Sequence, residues 1–396
     1  MKSSVGIIAE YNPFHNGHLY HLRESRRLTG AEIVIAAMSG YFVQRGAPAA
    51  ADKWERAEAA VRCGADLVVE IPTVFACASA QIFASAAVEI LEALGTGHIC
   101  FGSESGNIEE LKRIAREIRA NSSKIDGVIA EKTKAGISYP RARREAVTRF
   151  LGSDAAAVLD SPNNILAVEY ISGLRKALPV TVRRKGPGYD DDTPRGDMAS
   201  ASAIRKMADD GMDISRLLPG ESLKIFSGAD KPSYEKYFDL IRYAALTKSV
   251  SEIENTPSGE EGLANRLKGA VRSSSNLEEL AGAIKSKRYT RTRIDRLLAQ
   301  LVLGIDRTCS TGNYIRVLGF SKEGASYLKE LKKSEMCGLP VITNINRETY
   351  GLDDIQYGLS KDILAADIYN VISGRDMYRF SEYVRRPFNK QMYISQ

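Results

Sequence analysis

His15, Gly17 and His18 fall within a single turn of chain, and their types and spacing suit phosphate chemistry. Two imidazoles three positions apart on a helix point the same way. Each can donate a hydrogen bond to a phosphate oxygen that gains charge in a transition state. Gly17, between them, has no side chain, so a nucleotide can lie against the backbone. His21 continues the spacing and raises metal binding as a rival. Six residues of helix turn His21 through about 600° from His15, however, so the three rings do not converge. No nearby cysteine completes a zinc set. Displacement at a phosphate is the chemistry that remains, with Mg²⁺ expected only through the phosphates themselves.

Such a pair needs a helix start beneath it. The run Val5-Gly6-Ile7-Ile8-Ala9 reads as a short buried strand, and Asn12-Pro13-Phe14 as a tight turn. Leu19 and Leu22 then recur at helical spacing, so a helix begins near His15. Its first N–H groups have no partner within the helix and the dipole is positive there, which favours phosphate. Further strands are expected over Glu32–Met38, Asp66–Ile71, His98–Phe101 and Pro179–Arg183, with helices over Asp52–Arg62 and Ser79–Leu94. This alternation predicts an α/β fold with a parallel, Rossmann-like sheet whose ligand lies at the carboxyl ends of the strands. Residues 107–150 read as a helical insertion, and beyond about Leu218 helices with basic faces dominate. The expected division is a nucleotide-binding domain over 1–218 and a mainly helical domain over 219–396.

The 396 residues suffice for two or three domains, and 44% hydrophobic with 26% charged residues is ordinary for a soluble globular protein. No apolar run approaches the ~20 residues that cross a bilayer, and no secretory segment opens the chain. Five scattered cysteines without a C-x-x-C pair predict reduced thiols, hence a cytoplasmic protein. A net charge of +6 is compatible with nucleic acid without requiring it.

Several other stretches are candidates. Lys53 and Arg56 share one face of their helix and can meet a polyphosphate or simply face water. Ser161-Pro162 suits a helix start, but the adjacent Asn163 and Asn164 disfavour helix, so contact with adenine or ribose is a second use for them. Ser200 and Ser202 can cap a helix that places Arg205 one turn in, within reach of a β- or γ-phosphate. Lys285, Lys287, Arg288, Arg291, Arg293 and Arg296, with Tyr289 among them, form the densest basic run, and Arg316 with Lys322 to Lys333, Tyr314 and Tyr327 a second. Basic residues interleaved with aromatics suit an RNA backbone and unstacked bases, although a charged helix surface reads the same way.

The string Asn12-Pro13-Phe14-His15-Asn16-Gly17-His18 resembles the H-x-G-H signature of nucleotidyltransferases and class I aminoacyl-tRNA synthetases. The longer pattern is similar to the bacterial tRNA(Met) cytidine acetate ligases. It continues through Met38-Ser39-Gly40-Tyr41-Phe42-Val43-Gln44-Arg45-Gly46, Phe101-Gly102-Ser103-Glu104, Pro162-Asn163-Asn164-Ile165-Leu166 and Lys287-Arg288-Tyr289-Thr290-Arg291-Thr292-Arg293. That resemblance implies catalysis by His15, Gly17 and His18. It implies ATP held by Ile7-Ile8-Ala9-Glu10-Tyr11-Asn12-Pro13-Phe14-His15-Asn16-Gly17-His18-Leu19-Tyr20, by Gly102, by one of Asn163 and Asn164, and by Arg184, Ser202 and Arg205. Pro187, just after Arg184, departs from the family's glycine–alanine–glycine stretch, and Asp190-Asp191-Asp192 reads as a solvated loop. Elongator tRNA(Met) is implied on Lys287, Arg288, Tyr289, Arg291 and Arg293. The implied reaction activates acetate as acetyl-adenylate, releases pyrophosphate, and acetylates N4 of the wobble cytidine. The same signature also serves enzymes that move AMP to a small phosphorylated acceptor. No protein partner is expected.

Overall fold

In the computed structural model, residues 1–184, 193–259, 262–307, 311–346, 349 and 352–394 are described. The stretch after Arg184, with Pro187 and the three aspartates, lies outside them.

Five parallel strands form the centre: β1 (Ser4–Ala9), β2 (Ile33–Ser39), β3 (Leu67–Ile71), β4 (His98–Ser103) and β5 (Leu178–Arg183). All seven residues of β2 are buried, as expected of a strand covered by helices on both faces. The sheet order is β5-β4-β1-β2-β3. After stepping one way from β1 to β3, the chain returns to lay β4 on the other side of β1. That reversal opens a crevice at the carboxyl ends of β1 and β4. The chain leaving β1 there is the loop to His15, and β4 ends at Gly102-Ser103.

The stretch expected to be a helical insertion holds three helices, Ile108–Ala120, Ser122–Lys134 and Tyr139–Leu151. The second half is mainly helical, yet it also completes the sheet. The strand β6 (Ile315–Phe320) runs antiparallel beside β3, and the short β7 (Val341–Ile342) and β8 (Phe388–Asn389) both pair with β6. Among the described residues no helix is long and apolar enough to cross a membrane, and Cys63, Cys77, Cys100 and Cys337 are all free.

Three expectations about charged and aromatic residues change. Lys53 and Arg56 meet neither polyphosphate nor water, because both are buried. Lys53 pairs with Glu70 and Glu382, while Arg56 donates to the carbonyls of Glu10, Ser39, Gly40 and Ala51. Tyr289, Tyr314 and Tyr327 are core residues, and Arg316 is buried against Glu382.

Candidate active site

The first helix runs Asn16–Thr29, and His15 is its cap. The Gly17 N–H donates to His15 Nδ1 at 3.0 Å, and the His15 N–H donates to His18 Nδ1 at 3.2 Å. A capping box built from two imidazoles fixes their protonation. With Nδ1 accepting on each ring, the neutral tautomer carries its proton on Nε2. The rings stack with centroids 3.8 Å apart, and both residues line one cavity. Withdrawal from water pushes His15 down to about 3, helped by the charges of Arg184 and Arg205. The same withdrawal, with His15 next in weight, holds His18 well below its ordinary range, and His21 goes down to about 4. Both cap histidines are therefore neutral donors at neutral pH. Gly17 is required by contact. A Cβ there would lie 2.8 Å from His15 Cε1 and 3.0 Å from its Nδ1. Tyr11 and Phe14 brace His18 from the other side, with ring centroids at 5.0 and 5.7 Å.

The pair opens on a cavity of about 1180 Å³. Of the ATP-binding candidates, Ile8, Ala9, Glu10, Tyr11, Asn12, His15, Gly17, His18, Tyr20, Gly102, Asn163, Arg184, Ser202 and Arg205 reach its wall. Ile7, Pro13, Phe14, Asn16, Leu19 and Asn164 do not line it. Strand alternation turns Ile7 into the core, where Phe14 is also buried. Asn16 is spent on the carbonyls of Asp197 and Arg216, at 2.9 and 2.8 Å. The two adjacent asparagines separate cleanly. Asn164 is buried, and its side chain accepts from the N–H groups of Glu104 and Ser105 and donates to Val158 O. Asn163 faces the cavity, donates to Glu104 Oε1 at 2.7 Å, and receives Arg184 Nη1 at 3.4 Å.

Glu104 also accepts the Asn164 N–H at 3.0 Å. It thus does the work expected of Ser161, which holds the cap position of Pro162–Gly173 without a side-chain bond. Ser200 caps the helix Ala201–Asp209, whereas Ser202 lies inside its first turn and shares a hydrogen bond with Ser200. Arg205 Nη1 donates to Asn12 O at 2.7 Å, which ties that helix to the turn before His15.

The basic run divides similarly. Arg288 and Arg293 line the same cavity as the histidines, while Lys287 is exposed outside it. Arg291 is bound to Glu278 at 2.5 Å and Asp295 at 2.8 Å. Tyr289 is only 5% exposed, so no base can stack on its ring in this conformation. It instead lies beneath the guanidinium groups of Arg266, Arg288 and Arg293, each within 5.9 Å of the ring centroid. Tyr139 of the insertion and Tyr234 of the helical half also reach the cavity. Neither carries a sequence signal, because each is placed by the packing of its helix. Among the described residues no cluster of three His, Cys, Asp or Glu could hold a metal ion.

A family model described as HIGH Nucleotidyl Transferase matches residues 1–382. The tRNA(Met) cytidine acetate ligase of Syntrophotalea carbinolica is 39% identical over 386 residues, covering 92% of both chains. That of Caldanaerobacter subterraneus is 39% identical and covers 93% of this chain and 95% of its own. Among solved structures, apo TmcAL of Thermotoga maritima superposes with a TM-score of 0.90 at 31% identity, over 98% of this chain and 99% of that one. The same protein bound with alpha-thio ATP gives 0.88 over the same shares.

Proposed function

Since the chain belongs to the HIGH nucleotidyl transferases and, among them, to the tRNA(Met) cytidine acetate ligases, we propose that it activates acetate with ATP and acetylates tRNA. An acetate oxygen attacks the α-phosphorus of ATP, the bond to the bridging oxygen breaks, and pyrophosphate leaves. The wobble cytidine of elongator tRNA(Met) then attacks the acetyl carbon through N4, and AMP leaves. Supporting this reading above all is the pair of neutral, stacked imidazoles, set at a helix N-terminus on the wall of a cavity able to hold a nucleotide. They need not transfer a proton. They hold phosphate oxygens whose charge grows as the α-phosphorus changes partners. Arg184 and Arg205 flank the pair and suit the β- and γ-phosphates, and Asn163 suits the nucleoside.

Mg²⁺ fits this site as an ion carried by the nucleotide. Phosphate oxygens and water would be its ligands, since the described residues supply no three-ligand cluster. Bound there, it would neutralise phosphate charge. Incubation with ATP, radiolabelled acetate and bulk tRNA tests the reading directly. Label should appear in the tRNA without acetyl-coenzyme A. Its absence with folded protein would rule the reaction out.

We place the RNA backbone along the half of the cavity that carries Arg288 and Arg293. Arg293→Ala should raise the KM for tRNA several-fold and make the salt dependence of binding shallower by about one unit of slope. Filter binding across a salt series decides this, and an unchanged slope would take Arg293 off the RNA path. Gly17→Ala displaces the His15 ring from its cap, so acetate-dependent pyrophosphate exchange should fall about tenfold or more, less than the loss of a donor outright. If exchange persists at the normal rate, the close approach has no catalytic consequence.

A further inference from the structure

Glu10 follows the last residue of β1 and lines the same cavity as the histidine pair. One oxygen, Oε1, accepts the Gln44 N–H at 3.0 Å. Among the described residues Glu10 forms no ion pair, and its other oxygen is not buried. Among the described residues the two other carboxylates in the wall are engaged, Asp160 by Arg144 and Asp295 by Arg291. Burial first, and Glu10 second, raises both the Tyr170 hydroxyl and the Cys77 thiol. Arg56 meanwhile clamps the Glu10 carbonyl, so the residue's position is fixed from below.

A carboxylate is a poor neighbour for a triphosphate, because like charges repel. It is well suited to an N–H donor. Cytosine presents such a donor at N4, and a carboxylate accepting from N4 distinguishes cytosine from uracil, whose O4 only accepts. The N4 lone pair is delocalised into the ring, so N4 becomes nucleophilic only as a proton leaves it. We propose that Glu10 binds the N4 amino group of the target cytidine and takes its proton as N4 attacks the activated acetyl group, an assignment that rests on the ligase reading. The N4–C bond forms, one N4 proton passes to the open Glu10 oxygen, and the carbonyl reforms as the C–O bond to the phosphate of AMP breaks. AMP departs with that electron pair, and Glu10 returns its proton to water.

The test compares two steps in the full chain, with an unmodified elongator tRNA(Met) transcript as acceptor. Acetate-dependent ATP–pyrophosphate exchange reads adenylation, and single-turnover transfer from preformed acetyl-adenylate reads the second step. Glu10→Gln keeps an oxygen for the Gln44 N–H but cannot take a proton. The ratio of transfer to exchange should fall about 10²-fold, and Glu10→Asp should recover part of it. A ratio within about threefold of the unaltered protein overturns the assignment, since general-base catalysis is worth far more. So does a parallel fall in both steps, or Asp faring no better than Gln. If the unaltered protein shows no acetate-dependent exchange, the ligase reading itself fails and takes this assignment with it, a result visible without any variant.

Discussion

His18→Ala should slow acetate-dependent pyrophosphate exchange by on the order of 10²–10³ while the protein stays folded. The Nε2–H of His18 is a neutral donor fixed by the bond its Nδ1 accepts from the His15 N–H. It costs no reorganisation when phosphate charge develops, which is the condition under which one donor has its largest effect. The loss should therefore fall on kcat, with the KM for ATP little changed. A raised KM at constant kcat would mean that the imidazole binds ground-state ATP only. Because the two rings share one capping box, His15→Ala should cost about as much, and the double variant far less than the product of the two. Exchange at the normal rate in His18→Ala would remove the histidines from the chemistry. Stability should change by only about 0.5–2 kcal/mol, the usual worth of a cap.

The histidine pair was legible because everything that positions it is local. A strand, a turn and a helix start lie within one short stretch, and periodicity alone separates them. Gly17 was legible for a related reason, although the observed need is set by the His15 ring as well as by room for a ligand. Strand alternation also announced the parallel sheet. It did not announce the order of strands, and the order is what places the crevice between β1 and β4. Nor did it reveal β6, whose antiparallel pairing with β3 joins residues nearly 250 positions apart in the chain.

Charge was the least legible property. A lysine or arginine reads as solvated or ligand-binding until its partner is known, and the partners here are remote in sequence. Arg205 bonds to Asn12 O across 193 positions, and Arg375 reaches Asp52 and Glu55 across more than 300. Asn163 and Asn164 show the same limit at short range. Their roles are divided by Glu104, which caps the helix from a separate loop. The tyrosines of the basic runs misled for a third reason. Aromatic residues between arginines suit either base stacking or a core edge, and burial decides for the core edge.

Lys53→Met should cost about 3–5 kcal/mol of stability, because it strands carboxylates that have no access to water. Lys53 Nζ lies 2.6 Å from Glu70 and 3.1 Å from Glu382, all with fully buried side chains. Glu382 also accepts from Tyr41 and Trp54, each at 3.0 Å, and pairs with Arg316 at 3.3 Å. Asp362 accepts the Thr73 N–H at 2.7 Å and the Tyr314 hydroxyl. Three carboxylates thus face two cations, and burial raises both Asp362 and Glu70. Among the described residues Glu70 has only Lys53 as hydrogen-bond partner, and its Oε1 has none. Burial pushes it up to about 8, with Lys53 opposing and the charges of Asp362 and Glu382 adding. In the unfolded chain it titrates near 4.5. The folded state thus holds a proton that the unfolded state releases, so this stabilisation is complete below about 4.5 and is lost as pH rises through about 8. Glu55, raised to about 7 chiefly by burial, slopes the same way, so the pH dependence of Glu70 must be read as a difference. Glu70→Gln should flatten the decline in urea-unfolding stability between pH 5 and 8 relative to the unaltered protein. Adding it to Lys53→Met should change stability little between pH 5 and 7, since the carboxyl it replaces already carries a proton there. Identical pH slopes with and without Glu70→Gln would show that the carboxyl is ionised throughout, and a harmless Lys53→Met would show that water enters the cluster.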